Sequence, residues 1–133
     1  MSRTLGSIVV AAALALAAVP ARAHHSFAAE YDEKKPTKMS GKVTSMRWSN
    51  PHAWIYLDVA GTDGKVVNWA FETGGANALF RRGWRKEDLP AGTTVVVDGW
   101  LARNGSSTAN ARSITFPDGR RLFAGSSNAS AEK

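Results

Sequence analysis

The sequence predicts a small all-β domain with one short helix. From Met39 onward, apolar and polar residues alternate with a period of two over several short segments, as in half-buried strands. Glycine, proline, asparagine and aspartate separate these segments, which is the pattern of turns between strands. The chain has 133 residues and no cysteine. Its length therefore suits one domain with its own core, built without disulfides or thiolate metal ligands.

The first half of the domain contains three predicted strands, at residues 42–48, 53–59 and 66–72. Asn50-Pro51 interrupts the alternation between the first two strands, because proline cannot donate to a strand ladder. Gly61 to Gly64 predicts a hairpin between the second and third, since glycine and aspartate tolerate the left-handed conformations of tight turns.

A short helix follows at residues 76–82 and is ended by Gly83, with Leu79 and Phe80 expected to face the core. The second half then contains strands at residues 93–101 and 109–116, and a short extended piece at 121–123 that is expected to close the sheet. Gly41 and Gly99 lie inside strand patterns, where they predict bulges or sharp bends.

Three strands, a helix and two further strands form the element order of the OB-fold, a five-stranded Greek-key barrel. An immunoglobulin-like sandwich would need about seven strands and no helix at this place. We therefore predict a small OB-fold-like barrel at residues 39–124, preceded by an extended segment at 24–38 and followed by a disordered tail at 125–133.

The first 23 residues have the pattern of a cleaved signal peptide. Arg3 is followed by an uncharged run from Gly6 to Val19, and Ala21-Arg22-Ala23 matches the small-x-small cleavage motif. The run is shorter than the roughly 20 residues of a membrane-spanning helix, so an uncleaved anchor is the weaker alternative. We expect export to a bacterial periplasm, a first mature residue at His24, and no membrane span after cleavage.

The mature chain is mildly basic. Residues 1–23 carry two arginines and no acidic residue, so their removal changes the net charge from +6 to +4. The segment from Arg81 to Lys86 places a tryptophan among cations, as in some nucleic-acid-binding proteins. Export argues against nucleic acid as a partner, and the segment is interpreted as a solvated helix end balanced by Glu87 and Asp88. An anionic lipid or glycan surface is the lesser alternative.

An N-terminal histidine predicts a metal site. His24 would offer its α-amine and its ring Nδ1, and a second imidazole would complete a three-nitrogen histidine brace, a geometry that suits copper. His52 is the expected second arm, because Asn50-Pro51 places it at the mouth of a strand. His25 is the rival arm, and it could also chelate copper locally through its backbone amide and ring.

Five tryptophans suggest a second possibility, a surface on which ligands stack. Trp54 and Tyr56 share the face of their strand opposite Ile55 and Leu57, and together with Trp48 they are the candidate ligand-binding residues.

The chain contains a combination of six short motifs: His24-His25-Ser26-Phe27-Ala28, Tyr31-Asp32, Gly41-Lys42-Val43, Trp48-Ser49-Asn50-Pro51-His52-Ala53, Arg82-Gly83-Trp84 and Pro117-Asp118-Gly119-Arg120. Together these motifs resemble an uncharacterised family of exported bacterial proteins, the domain of unknown function DUF6152. The resemblance covers the mature chain and implies a small periplasmic β-protein, without an activity or an established site.

The leading hypothesis is a periplasmic copper-binding protein that buffers, carries or delivers the ion, with a periplasmic or membrane protein as the partner in delivery. The alternative is a metal-free OB-like module that binds a small ligand, a glycan or a partner protein. We expect no enzymatic activity, since the sequence contains neither a nucleophile elbow nor a paired-carboxylate signature.

Overall fold

The computed structural model describes residues 27–125. The predicted signal peptide, His24, His25 and nearly all of the predicted tail lie outside the described residues. The elements are α1 (Phe27–Glu30), β1 (Tyr31–Arg47), β2 (Trp54–Ala60), β3 (Val66–Glu72), α2 (Ala76–Arg81), a 3₁₀ turn (Lys86–Asp88), β4 (Thr94–Ala102), β5 (Thr108–Thr115) and β6 (Arg121–Phe123).

The six strands form one sheet in the order β3-β2-β1-β4-β5-β6, and a parallel pairing between β3 and β5 closes the first five into a ring. All other neighbours are antiparallel. This is the Greek-key barrel of the OB type, with α2 between the third and fourth strands. The predicted fold class is therefore confirmed.

Strand β1 is longer than its alternation pattern indicates. The strand begins at Tyr31, within the predicted extended segment, and it pairs with β4 from Tyr31 opposite Ala102 to Lys42 opposite Thr94. Only its second half also pairs with β2. The first half has exposed lysines on its surface, so backbone pairing rather than side-chain alternation defines it there.

Two details of the fold differ from the prediction, one at each end of the described chain. Residues 121–123 form β6, which pairs with β5 and extends the sheet, whereas β3 and β5 close the ring. The helical turn α1 was not expected from the sequence.

The core lies inside the ring and under α2. Its largest fully buried side chain is Trp84, whose indole Nε1 donates to the backbone oxygen of Phe123 at 2.9 Å. Leu79 is fully buried, as predicted, but Phe80 is 56% exposed, so its predicted core position is wrong. Consecutive helix residues point about 100° apart, and one short helix cannot bury both on the same face.

Gly99 and Gly41 each allow a neighbouring strand to approach closely. The β4–β5 register shifts at Gly99, as predicted, and a Cβ there would lie 1.9 Å from the backbone oxygen of Asn110. Gly41 is not at a bulge: the shift in β1 lies between Val43 and Ser45. A Cβ at Gly41 would lie 2.8 Å from the backbone oxygen of Asp58, so this glycine serves close strand packing.

Within residues 27–125, the helices are too short and too polar for any of them to traverse a lipid bilayer.

Candidate functional site

His52 lies in the loop between β1 and β2, and the N-terminus of α2 holds this loop in place. The Ser49 hydroxyl donates to the backbone oxygen of His52 at 2.7 Å. In turn, the backbone nitrogen of Ala76 donates to the backbone oxygen of Ser49 at 2.9 Å, and that of Asn77 donates to Asn50 Oδ1 at 3.1 Å. The motif around Asn50 thus joins the loop to the helix and gives His52 a defined backbone position.

The ring of His52 is oriented by the end of β3. Its Nδ1 lies 2.8 Å from Glu72 Oε1 and 3.3 Å from the backbone oxygen of Thr73. Both neighbours are acceptors, so Nδ1 carries the proton and donates it. In the neutral ring, Nε2 then keeps its lone pair, and it has no hydrogen-bond partner among residues 27–125. The His52 side chain is 38% exposed.

Glu72 is buried and accepts a second hydrogen bond, from the hydroxyl of Tyr31 to its Oε2. Burial, with further contributions from the Glu72 hydrogen bond and charge, raises the pKa of Tyr31 above its usual range. The phenol therefore stays protonated and acts as a donor. Since one carboxylate accepts from both Tyr31 and His52, the buried Tyr31 and Glu72 orient the His52 ring through a chain of hydrogen bonds.

This chain lies where the barrel closes. Glu72 is opposite Trp54 of β2 on one side and opposite Asn110 of β5 on the other. Asn110 is itself buried, and its Oδ1 has no hydrogen-bond partner in the part of the chain that the structure describes.

The N-terminus of the described chain approaches the same place. The Phe27 ring packs 5.5 Å from the ring of Tyr31 and 5.3 Å, edge to face, from that of Trp100. Phe27 is three residues after His24. Of the three histidines predicted to hold a metal, the structure places His52 in this region, whereas His24 and His25 lie outside the described residues.

The aromatic residues predicted to bind ligands separate into two groups. Trp48 packs against the hydrophobic core. Trp54 and Tyr56 are half-buried on the face of β2 opposite the buried Ile55 and Leu57, as the alternation predicts.

Trp54 also borders a shallow cavity of about 480 Å³ between α1 and the β4–β5 hairpin. Arg103 of this hairpin donates to the backbone oxygen of Ala28 at 2.8 Å and lies 3.8 Å from Asp32, which ties the hairpin to the N-terminal segment. The polar lining consists of Glu30, Tyr31, Arg103, Asn104, Ser106 and Thr108.

Glu72 and Tyr31 are functional candidates that the sequence analysis did not single out. A carboxylate at the end of an apolar strand is a weak signal, and the partnership of Glu72 with Tyr31, 41 positions away, depends on the barrel. No group of three or more His, Cys, Asp or Glu residues suited to a metal ion lies within residues 27–125.

The topology and the Tyr31–Glu72–His52 chain of hydrogen bonds define a small OB-type barrel in which His52 is held in one orientation. The family model described as Family of unknown function (DUF6152) matches residues 11–111, and the chain belongs to this family. No curated protein and no solved structure matches the chain significantly.

Proposed function

We propose that this protein binds copper in the bacterial periplasm through the mature N-terminal His24 and His52, and that it buffers, carries or delivers the ion. The orientation of His52 carries this proposal. Histidines that bind metals almost always donate their other ring N–H to a carboxylate or a backbone carbonyl. His52 has both acceptors at Nδ1, and its Nε2 is left for a metal.

The length of the N-terminal segment supports a meeting of the two histidines. Three extended residues span about 10 Å, so His24 lies within that distance of Phe27. Phe27 packs on Tyr31, and Tyr31 donates to the same carboxylate that holds His52. One buried glutamate thus connects the segment that carries His24 with the ring of His52.

The donor set favours copper over other divalent ions. The α-amine, the His24 Nδ1 and the His52 Nε2 are three nitrogens that suit the tetragonal geometry of Cu(II). The α-amine has an ordinary pKa of about 7.7–8.0, so it loses its proton to a metal readily at neutral pH. The amine exists only after the predicted cleavage, which would restrict binding to the exported protein.

The test compares two forms of the protein in a Cu(II) titration. The chain that starts at His24 is expected to bind one Cu(II). A chain acetylated at the α-amine of His24 keeps every side chain but loses the amine from the chelate ring. We expect its Cu(II) affinity to be at least about a hundredfold lower. Loss of a group that only orients a metal ligand costs 10- to 100-fold, and this change removes a ligand itself. Isothermal titration with a competing chelator gives both affinities.

Equal affinity of the two forms would contradict the brace. Electron paramagnetic resonance of the Cu(II) complexes adds an independent readout, since the number of coordinating nitrogens should fall in the acetylated chain.

The cavity beside Trp54 favours a second candidate function, a metal-free module that binds a small ligand or a glycan. An aromatic ring next to hydroxyl, amide and guanidinium groups combines a stacking surface with hydrogen-bonding groups. We expect the tryptophan fluorescence of metal-free protein to respond to a soluble oligosaccharide, and Trp54→Phe to remove most of the response. Trp48→Phe is the matched control. Silence across a broad panel of sugars would count against this candidate.

A further inference from the structure

Two phenylalanine rings at the surface each make a cation–π contact with an arginine. Phe80, at 56% exposure, has the guanidinium of Arg85 at 4.3 Å from its ring centre. Phe123, at 37% exposure, has that of Arg82 at 4.9 Å. The two pairs are separate, and only the first has its arginine exposed; we call Phe80 and the exposed Arg81 and Arg85 the arginine–phenylalanine face.

The segment that follows α2 is anchored to the barrel. The hydrogen bond from the Trp84 indole to the Phe123 backbone joins this segment to β6. Arg82 also donates to the backbone oxygen of Gly125. Arg85 is therefore held next to the largest core side chain.

The positive charge of this face is not neutralised within the described residues. Arg81, Arg82 and Arg85 have no ion pair with a carboxylate there; the ion pairs of arginine involve Arg103 and Arg121. The 3₁₀ turn contains two acidic residues: Glu87 is exposed and makes no ion pair with these arginines, and Asp88 accepts from the backbone nitrogen of Arg85 at 2.7 Å. Arg81, Arg85 and the Phe80 ring are all exposed to solvent.

We propose that the arginine–phenylalanine face docks the protein on an anionic phospholipid bilayer. Guanidinium groups pair with lipid phosphates in a bidentate manner, and each basic residue near the surface strengthens the attraction. Phe80 is the exposed aromatic residue of the face. An apolar ring flanked by cations is suited to insert into the bilayer at the boundary between headgroups and acyl chains. Neither contact involves His52, so this proposal is independent of copper.

The test is sedimentation of the chain from His24 onward with phosphatidylglycerol vesicles, with phosphatidylcholine vesicles as the neutral comparison. We expect binding to the anionic vesicles only, and loss of binding at high salt. The double variant Arg81→Gln/Arg85→Gln should bind about tenfold to thirtyfold more weakly. Lys34→Gln/Lys38→Gln removes the same charge from exposed positions of β1 and should bind as the parent does within about twofold.

Equal losses in the two double variants would overturn the proposal, because net charge and not this face would then explain binding. If Phe80→Ser binds as well as the parent, the proposed insertion of the ring is wrong. If a poly-glutamate peptide binds at this face and the vesicles do not, docking on a lipid bilayer is wrong and the face binds an acidic protein partner instead.

Discussion

Replacing His52 with alanine is expected to reduce the affinity of the chain from His24 onward for Cu(II) about a hundredfold or more. Changes to groups that only orient a metal ligand already cost 10- to 100-fold, and this change removes a proposed ligand itself. The remaining amine and ring of His24 would hold the ion in a two-nitrogen chelate. A competition titration with a chromophoric chelator measures the loss.

The control for this prediction is His25→Ala, which removes the rival arm and leaves His52 in place. If His25→Ala weakens binding and His52→Ala does not, copper is held locally at the N-terminus and the barrel has no part in it. Thermal unfolding of both variants shows whether the fold is intact, since His52→Ala also leaves Glu72 with one hydrogen bond fewer.

Glu72→Gln tests the same site through the residue that positions His52. We expect a 10- to 100-fold loss of Cu(II) affinity, because an amide holds the Nδ1–H tautomer less well than a carboxylate does. Nitrogen NMR of the His52 ring in metal-free protein should show a single Nδ1–H tautomer in the parent and a mixture in the variant. A change in affinity without a change of tautomer would mean that Glu72 acts in another way.

Replacing Trp84 with alanine is expected to destabilise the fold by about 3–5 kcal/mol, the cost of a large cavity in a packed core. Trp84 is fully buried, packs 6.2 Å from the Phe116 ring, and donates to the Phe123 backbone. Its removal therefore leaves both a void and an unpaired carbonyl between α2 and β6. Chemical denaturation followed by circular dichroism measures the difference in unfolding free energy.

Trp54→Ala is the matched control, because it deletes the same side chain from a half-buried position on the outer face of β2. We expect less than half of the destabilisation of Trp84→Ala, since much of the Trp54 ring already contacts solvent. Similar losses for the two variants would show that the outer face of β2 contributes to stability as much as the core does.

Much of the barrel follows from local patterns. The alternation in β2 predicts which residues are buried, because side chains of a strand point to opposite faces in turn. Gly99 inside a strong strand pattern predicts the bulge that the structure contains. The first half of β1 was not predicted as a strand, because its lysines and Pro36 interrupt the alternation of apolar and polar residues. Backbone pairing with β4 defines the strand there.

The sequence by itself determined the all-β class, the order of the barrel strands and the family motifs, and it predicted His52 as the second arm of a metal site. Only the tertiary structure decided that Glu72 contacts both His52 and Tyr31. These partners are 20 and 41 positions away from Glu72, so the contacts require the closed ring of strands. It also placed Phe80 at the surface beside arginines, since the packing of α2 selects one helix face for the core. Local patterns set the elements, and the side-chain partnerships of the site come from how those elements meet.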